Sequence, residues 1–186
     1  MQYGYFDDAR KEYVISTPRT PLPWINYLGS EAFFALVSNT AGGYCFYKDA
    51  RLRRITRYRY NNSPLDSDGF HIYIREADGT VWNPGWQPVQ QELDRYTCRH
   101  GLGYTILEGA LHGLSAKQEM LVPAKDNCLL LRLTLVNEGQ EVKKGSLFPY
   151  VEFCLWDAMD DGSNFQRNFS TGEVEVTERA IYHKTE

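Results

Sequence analysis

The sequence predicts an all-β fold, an antiparallel β-sandwich, and three observations carry that expectation. Short apolar runs alternate with period two. The clearest is Leu129 to Val136, where Leu129, Leu131, Leu133 and Leu135 alternate with Leu130, Arg132, Thr134 and Val136. A strand sends successive side chains to opposite faces, so this spacing gives one wholly apolar face. Turn signals cut such runs at near-regular intervals, the pattern of a sandwich or barrel. Aromatic residues reach 14% of the chain, with 13 Tyr and 4 Trp, as expected where rings fill the core of a β-rich fold.

Taken in order, Tyr3–Phe6 and Glu12–Ile15 read as a hairpin around Asp7-Asp8-Ala9-Arg10. Pro18, Pro21 and Pro23 follow. They exclude regular helix and demand an extended, ordered loop, with Trp24, Ile25 and Tyr27 as its expected anchors. In the next stretch Ser30 is a possible helix cap. The glycine-rich turn Asn39-Thr40-Ala41-Gly42-Gly43, set between apolar and aromatic runs, favours a hairpin instead. Asp78-Gly79 turns a further hairpin between β-branched and aromatic flanks. From His100 to Gly139 several strands are separated by glycines, and "GSLFPYVEFCLWD" and "GEVEV" continue the strand pattern. "AIYHKTE" is strand-like up to Glu186, so the sandwich is expected to be incomplete at the C-terminus. No internal repeat, low-complexity segment or linker divides the chain.

The 186 residues suffice for one ordinary domain. A formal net charge of −4 argues against a dedicated nucleic-acid binder. Cys45, Cys98, Cys128 and Cys154 form no CxxC pair and have no close spacing with histidine. Neither a zinc site nor a disulfide framework is expected. The first residues, MQYGYFDDARKEY, contain no apolar signal-like stretch, and no long apolar run appears later. A cytoplasmic protein with free thiols is the resulting expectation.

Three constellations are candidates for chemistry. On a strand, Arg51, Arg53, Arg57 and Arg59 share one face while Arg54, Tyr58 and Tyr60 share the other. Arginines interleaved with tyrosines suit phosphate or nucleobases, but an ion network with the 24 acidic residues is the favoured reading. Asp160 and Asp161 are adjacent, whereas inverting sugar chemistry needs two groups about 6.5–9.5 Å apart. Loop shaping is therefore their expected role. Gln166-Arg167-Asn168 offers an amide, a guanidinium and an amide in succession. These groups suit hydrogen bonding to sugar hydroxyls and do not suit proton transfer. A solvated loop is the equal alternative from the residues alone. His71, His100, His112 and His183 lie in no GxSxG or HExxH context and are read as structural.

The blocks "YFDDARKEYVI", "TPRTPLPWINYLG", "AGGYCFYKDARLRRITRYRYNN", "CRHGLGYT", "VEFCLWDA", "DDGSNFQRNFSTGEVEV" and "IYHKTE" cover nearly the whole chain in one order. Together they resemble the N-terminal region of bacterial cellobiose phosphorylases, which belong to the family of inverting glycoside phosphorylases that also includes chitobiose phosphorylase. The resemblance implies that residues 1–186 are an incomplete N-terminal β-sandwich of a longer, homodimeric glycosyltransferase. It implies an (α/α) barrel that carries the general-acid Asp, expected beyond Glu186, so that this chain alone is expected to be inactive. The implied reaction is reversible: cellobiose and phosphate give α-glucose 1-phosphate and glucose, with inversion. Phosphate is a co-substrate, and no cofactor or metal is implied. For this chain the resemblance implies acceptor-sugar contacts from Gln166 and Arg167. Asp161, Asn164 and Asn168, helped by Ser163 and Phe169, then support the loop. The competing functions are a non-catalytic carbohydrate-binding sandwich and, third, a nucleic-acid-binding β-domain.

Overall fold

Most of the alternating runs become strands, and every strand pairing among the described residues is antiparallel. The computed structural model describes residues 2–58, 68–154, 157–163 and 172–185. Within them lie β1 (Gly4–Asp7), β2 (Glu12–Ile15), β3 (Ile25–Gly29), β4 (Phe33–Ser38), β5 (Gly43–Tyr47), β6 (Ile72–Glu76) and β7 (Val81–Trp82). They are followed by β8 (Arg95–His100), β9 (Tyr104–Leu111), β10 (Leu114–Leu121), β11 (Leu130–Asn137) and β12 (Gly145–Pro149). One short helix, α1 (Ala158–Ser163), precedes β13 (Gly172–Val176) and β14 (Ile181–Thr185).

A six-stranded sheet runs in the order β1-β2-β8-β9-β10-β11. Two three-stranded sheets, β3-β4-β5 and β12-β6-β7, pack against it, and β13-β14 is a separate hairpin. An isolated antiparallel bridge between Gly42 and Gly69 links the segments that lead into β5 and β6. There the Gly43 amide donates to the Asp68 carbonyl at 3.0 Å and the Phe70 amide to the Ala41 carbonyl at 2.8 Å. The two small sheets form one second layer, the arrangement of a sandwich.

Period-two burial builds the core. Ile15, Cys98, Leu107 and Met120 come from the large sheet, and Leu28, Phe33, Ala35, Val37 and Cys45 from the facing one. A second cluster places Ile74 and Trp82 against Leu111 and Ala116. Burying side chains of this size removes apolar surface from water at about 25 cal/mol per Å². The expected hairpin turns form: the Asp7 carboxylate accepts from the amides of Ala9 and Arg10, both at 3.1 Å. Ser30 caps no helix; its hydroxyl accepts from the Phe33 amide at 3.1 Å in the turn before β4.

Three expectations meet the structure differently. Trp24 anchors the proline-rich loop by packing on the core beside Tyr3 and Tyr13. Ile25 and Tyr27 do not: they belong to β3 and are exposed. In β11 the apolar face exists, but only Leu133 is half-buried, because β11 is the outer strand of its sheet. The stretch from Arg51 is not a strand. The Asp49 carboxylate accepts from the amides of Arg51 and Leu52, both at 2.8 Å, and closes a turn that breaks the expected alternation. Isolated bridges resume at Arg54 and Thr56, and Arg59 and Tyr60 lie outside the described residues. The strand pattern read up to Glu186 is described to Thr185, where β14 ends; Glu186 itself lies outside the described residues.

Candidate functional site

Past β12 the chain runs beside the strip that contains Arg57. Cys154 N donates to Ile55 O at 2.9 Å, and Arg57 N donates to Glu152 O at 2.8 Å. Alternation over Tyr150, Glu152 and Cys154 then aims every second side chain at one region. The Tyr150 hydroxyl donates to Glu152 Oε2 at 2.8 Å. The Arg57 guanidinium donates through Nη1 to Glu152 Oε1 and through Nε to Asp161 Oδ2, the latter at 2.9 Å. Asp161 is buried and Arg57 nearly so, and charge-assisted hydrogen bonds of this kind fix geometry strongly where water is excluded.

Asp161 sits on α1, whose first turn is capped by Asp157. Asp157 Oδ1 accepts from the Met159 amide at 2.6 Å, and its Oδ2 accepts from Arg51 Nε at 2.9 Å. Asp160 and Asp161 are therefore helical rather than in an open turn, and they diverge: Asp161 is buried and Asp160 half-exposed. Gln166, Arg167, Asn164 and Asn168 lie outside the described residues, as does Phe169; Asp161 lies in the first turn of α1, and Ser163 is its last residue. The general-acid Asp expected beyond Glu186 likewise falls outside them, so the described residues bear on neither the acid nor the acceptor contacts directly.

Burial sets the protonation states here. The Asp68 carboxyl is pushed up by burial and by the charges of Glu152 and Asp161, against the pull of Arg57. Burial and the hydrogen bond to Glu152 hold the Tyr150 phenol far above its ordinary range, so it stays a donor. The Cys154 thiol is raised to about 11 by burial and by Asp161, so it stays protonated and a poor nucleophile. Burial opposes the charge of Arg57, but Glu152 and Asp161 outweigh it and strengthen its hold on the proton. No metal-holding group of His, Cys, Asp and Glu side chains occurs among the described residues. The cluster is thus equipped to hold geometry by hydrogen bonds.

The arginine strip resolves into the ion network that its acidic surroundings suggest. Arg51 pairs with Asp157, and Arg57 with Glu152 and Asp161. The Arg54 guanidinium lies 4.1 Å from the Tyr44 ring centroid. Glu152 and Asp68 were not singled out from the sequence. An acid inside the apolar run "PYVEFCLW" was the available signal for Glu152; nothing local marks Asp68.

Residues 11–186 match the family described as glycosyl hydrolase 94, supersandwich domain. The chain belongs to the glycosyl hydrolase 94 family. N,N'-diacetylchitobiose phosphorylases of Vibrio proteolyticus and Vibrio furnissii are each 36% identical to it over 193 residues, covering 100% of the chain and 24% of the relative. Solabiose phosphorylase of Paenibacillus borealis is 37% identical over 155 residues, covering 82% of the chain and 20% of the relative. The chain thus spans about a quarter of the length of the curated relatives it matches. The sandwich is the glycosyl hydrolase 94 supersandwich, and the Arg57 cluster lies inside the matched region. No helix among the described residues is long and apolar enough to cross a membrane.

Proposed function

We propose that this chain supplies the supersandwich domain of a cytoplasmic, homodimeric cellobiose phosphorylase. Its similarity along the whole chain to disaccharide phosphorylases carries the reading. Phosphate attacks the anomeric carbon of the non-reducing glucose while an acid protonates the glycosidic oxygen; α-glucose 1-phosphate and glucose leave with inversion. Phosphate takes the place of the activated water of an inverting hydrolase, so no protein base is required. The acid is an Asp of an (α/α) barrel beyond Glu186, and no cofactor or metal takes part. Residues 1–186 serve as scaffold and as the acceptor-side wall. Gln166 and Arg167 hydrogen-bond the departing glucose, with Asp161, Asn164 and Asn168 supporting their loop. A fixed amide-guanidinium pair lowers the ordering cost of gripping a flexible hexose.

The two Vibrio relatives favour a second reading, N,N'-diacetylchitobiose as the disaccharide. Phosphorolysis by the full-length polypeptide, followed as sugar 1-phosphate release from each disaccharide, distinguishes them. Cellobiose turnover dependent on inorganic phosphate is expected; turnover of N,N'-diacetylchitobiose alone selects the second reading, and turnover of neither overturns both. In the synthetic direction, Arg167→Ala is expected to raise the KM for the acceptor sugar by about tenfold or more. The KM for glucose 1-phosphate is expected to change little, and equal losses for both substrates would refute the acceptor contact.

A further inference from the structure

We propose that one open side of the sandwich, between β11 and the strip of residues 145–154, is a docking surface for β-strands from the polypeptide beyond residue 186, one strand added to each layer. The inference is independent of which disaccharide the full-length protein cleaves.

Two free edges lie on that side. Among the described residues β11 ends the six-stranded sheet, paired with β10, and β12 ends the facing sheet, paired with β6. The β12 edge continues past Pro149. The Tyr150 amide donates to the His71 carbonyl at 2.9 Å, the Glu152 carbonyl accepts from the Arg57 amide at 2.8 Å, and the Cys154 amide donates to the Ile55 carbonyl at 2.9 Å. Residues 150, 152 and 154 are two apart, and alternate residues of a strand send their backbone groups to the same side. The amides of Leu147 and Val151 therefore face the free edge. The same alternation holds in β11. The Glu138 amide donates to the Gly113 carbonyl, towards β10, so the amides of Leu133 and Leu135 face outward.

A cleft of about 520 Å³ lies between these edges, with Ile74, Leu114, Leu135 and Leu147 on its walls. Leu135 is paired with Ala116, and Leu147 with Ile74; both partners belong to the core, and paired residues share a face. Leu135 and Leu147 thus point inward, yet they are 39% and 48% exposed. Apolar side chains left so open on a core face mark a surface that something covers. Added strands satisfy both needs at once, since their backbone pairs with the outward amides and their inward side chains fill the cleft. The length of the relatives argues that the same polypeptide supplies them. The chain covers 24% of the Vibrio proteins, so most of such a polypeptide lies outside these residues. β14 already lies against the β12 edge, because the His183 ring stacks on Phe153 with centroids 4.2 Å apart. A strand running antiparallel from Phe153 reaches Leu147 in about six residues. Arg75, Lys143 and Lys144 also line the cleft, so an acidic side chain is expected at that end of an added strand.

The test uses the full-length polypeptide. Residue-resolved hydrogen–deuterium exchange reads the outward amides of Leu133, Leu135, Leu147 and Val151. They are expected to exchange at least about 100-fold more slowly than in an unstructured peptide, as their inward neighbours Thr134 and Phe148 do. Leu135→Cys and Leu147→Cys are expected to react with a maleimide at least about 100-fold more slowly in the native protein than after unfolding in urea. Should either variant fail to fold, the exchange measurement on the wild type still decides. Fast outward amides beside slow Thr134 and Phe148 would reveal a free edge and overturn the proposal. Slow cysteine labelling with fast outward amides would overturn it too, since side chains of another surface, rather than strands, would then cover the cleft. Protection that disappears on dilution to the monomer would assign the strands to a second copy and overturn the intramolecular docking.

Discussion

Arg57 and His100 illustrate two ways of burying a polar side chain. Arg57 keeps its charge because two carboxylates face it. His100 loses its charge. Its Nε2 lies 2.9 Å from the Trp24 carbonyl, which can only accept, so the proton sits on Nε2. Its Nδ1, 3.0 Å from the Thr105 hydroxyl, then accepts; the Cys98 thiol is the other neighbour. Burial lowers the pKa of His100 below 6.5, the carbonyl contact resisting. A depressed folded pKa means that the unfolded chain binds the proton first as the pH falls. The stability from the neutral ring is complete above about pH 6.5 and is lost as the pH drops from there through the folded pKa. Thermal melts of the chain between pH 7.5 and about pH 5 are expected to show a falling Tm, and His100→Gln is expected to flatten that fall. An equal slope in the variant would assign the dependence elsewhere, with His183, also lowered by burial, as the next suspect. That His100 is structural was legible in the sequence from its lack of any catalytic context. Which nitrogen carries the proton was not, because Trp24 comes from a strand connection 76 residues away.

At the scale of elements, hairpins with local turn chemistry were legible and strips held from afar were not. Asp78-Gly79 turns as its residues require, with Gly79 at φ 93°. Gly43, at φ 134°, serves a different need: a Cβ there would lie 1.9 Å from the Leu36 carbonyl oxygen of the paired strand. At Gly79 a Cβ would meet open space. Gly79→Ala is therefore expected to destabilise by about 1 kcal/mol, the conformational cost alone. Gly43→Ala should cost at least about 3 kcal/mol, because β4 and β5 must also move apart. Urea unfolding of the two variants checks this, and comparable losses would contradict it. The arginine stretch departs from the strand expectation for a related reason. Period-two spacing says nothing about whether an upstream carboxylate, here Asp49, will capture the amides first.

For the whole molecule, a six-stranded sheet faced by two smaller ones leaves β11 as an outer edge, with Leu131, Leu135 and Val136 exposed. A cleft of about 520 Å³ opens beside it between Ile74, Leu114, Leu135, Val142 and Leu147. Unpaired edges flanked by apolar surface recruit other strands. The 186-residue chain alone is expected to self-associate in a concentration-dependent way, as seen by light scattering. Val136→Lys, 51% exposed in the wild-type chain, is expected to slow this with a stability change within about 0.5 kcal/mol. Unchanged scattering would place the sticky surface elsewhere, the exposed β13-β14 hairpin with Val174, Val176 and Ile181 being next. By itself the sequence determined the all-β class, the hairpin turns and the family likeness, since each is written in short-range spacing or in blocks that survive as text. Only the tertiary structure decided that Arg51 and Arg57 meet Asp157 and Asp161 around the first turn of one short helix, and that Glu152 and Asp68 join them. Those partners are separated by up to 106 residues, and no local pattern encodes which distant carboxylate a guanidinium will meet once the layers close.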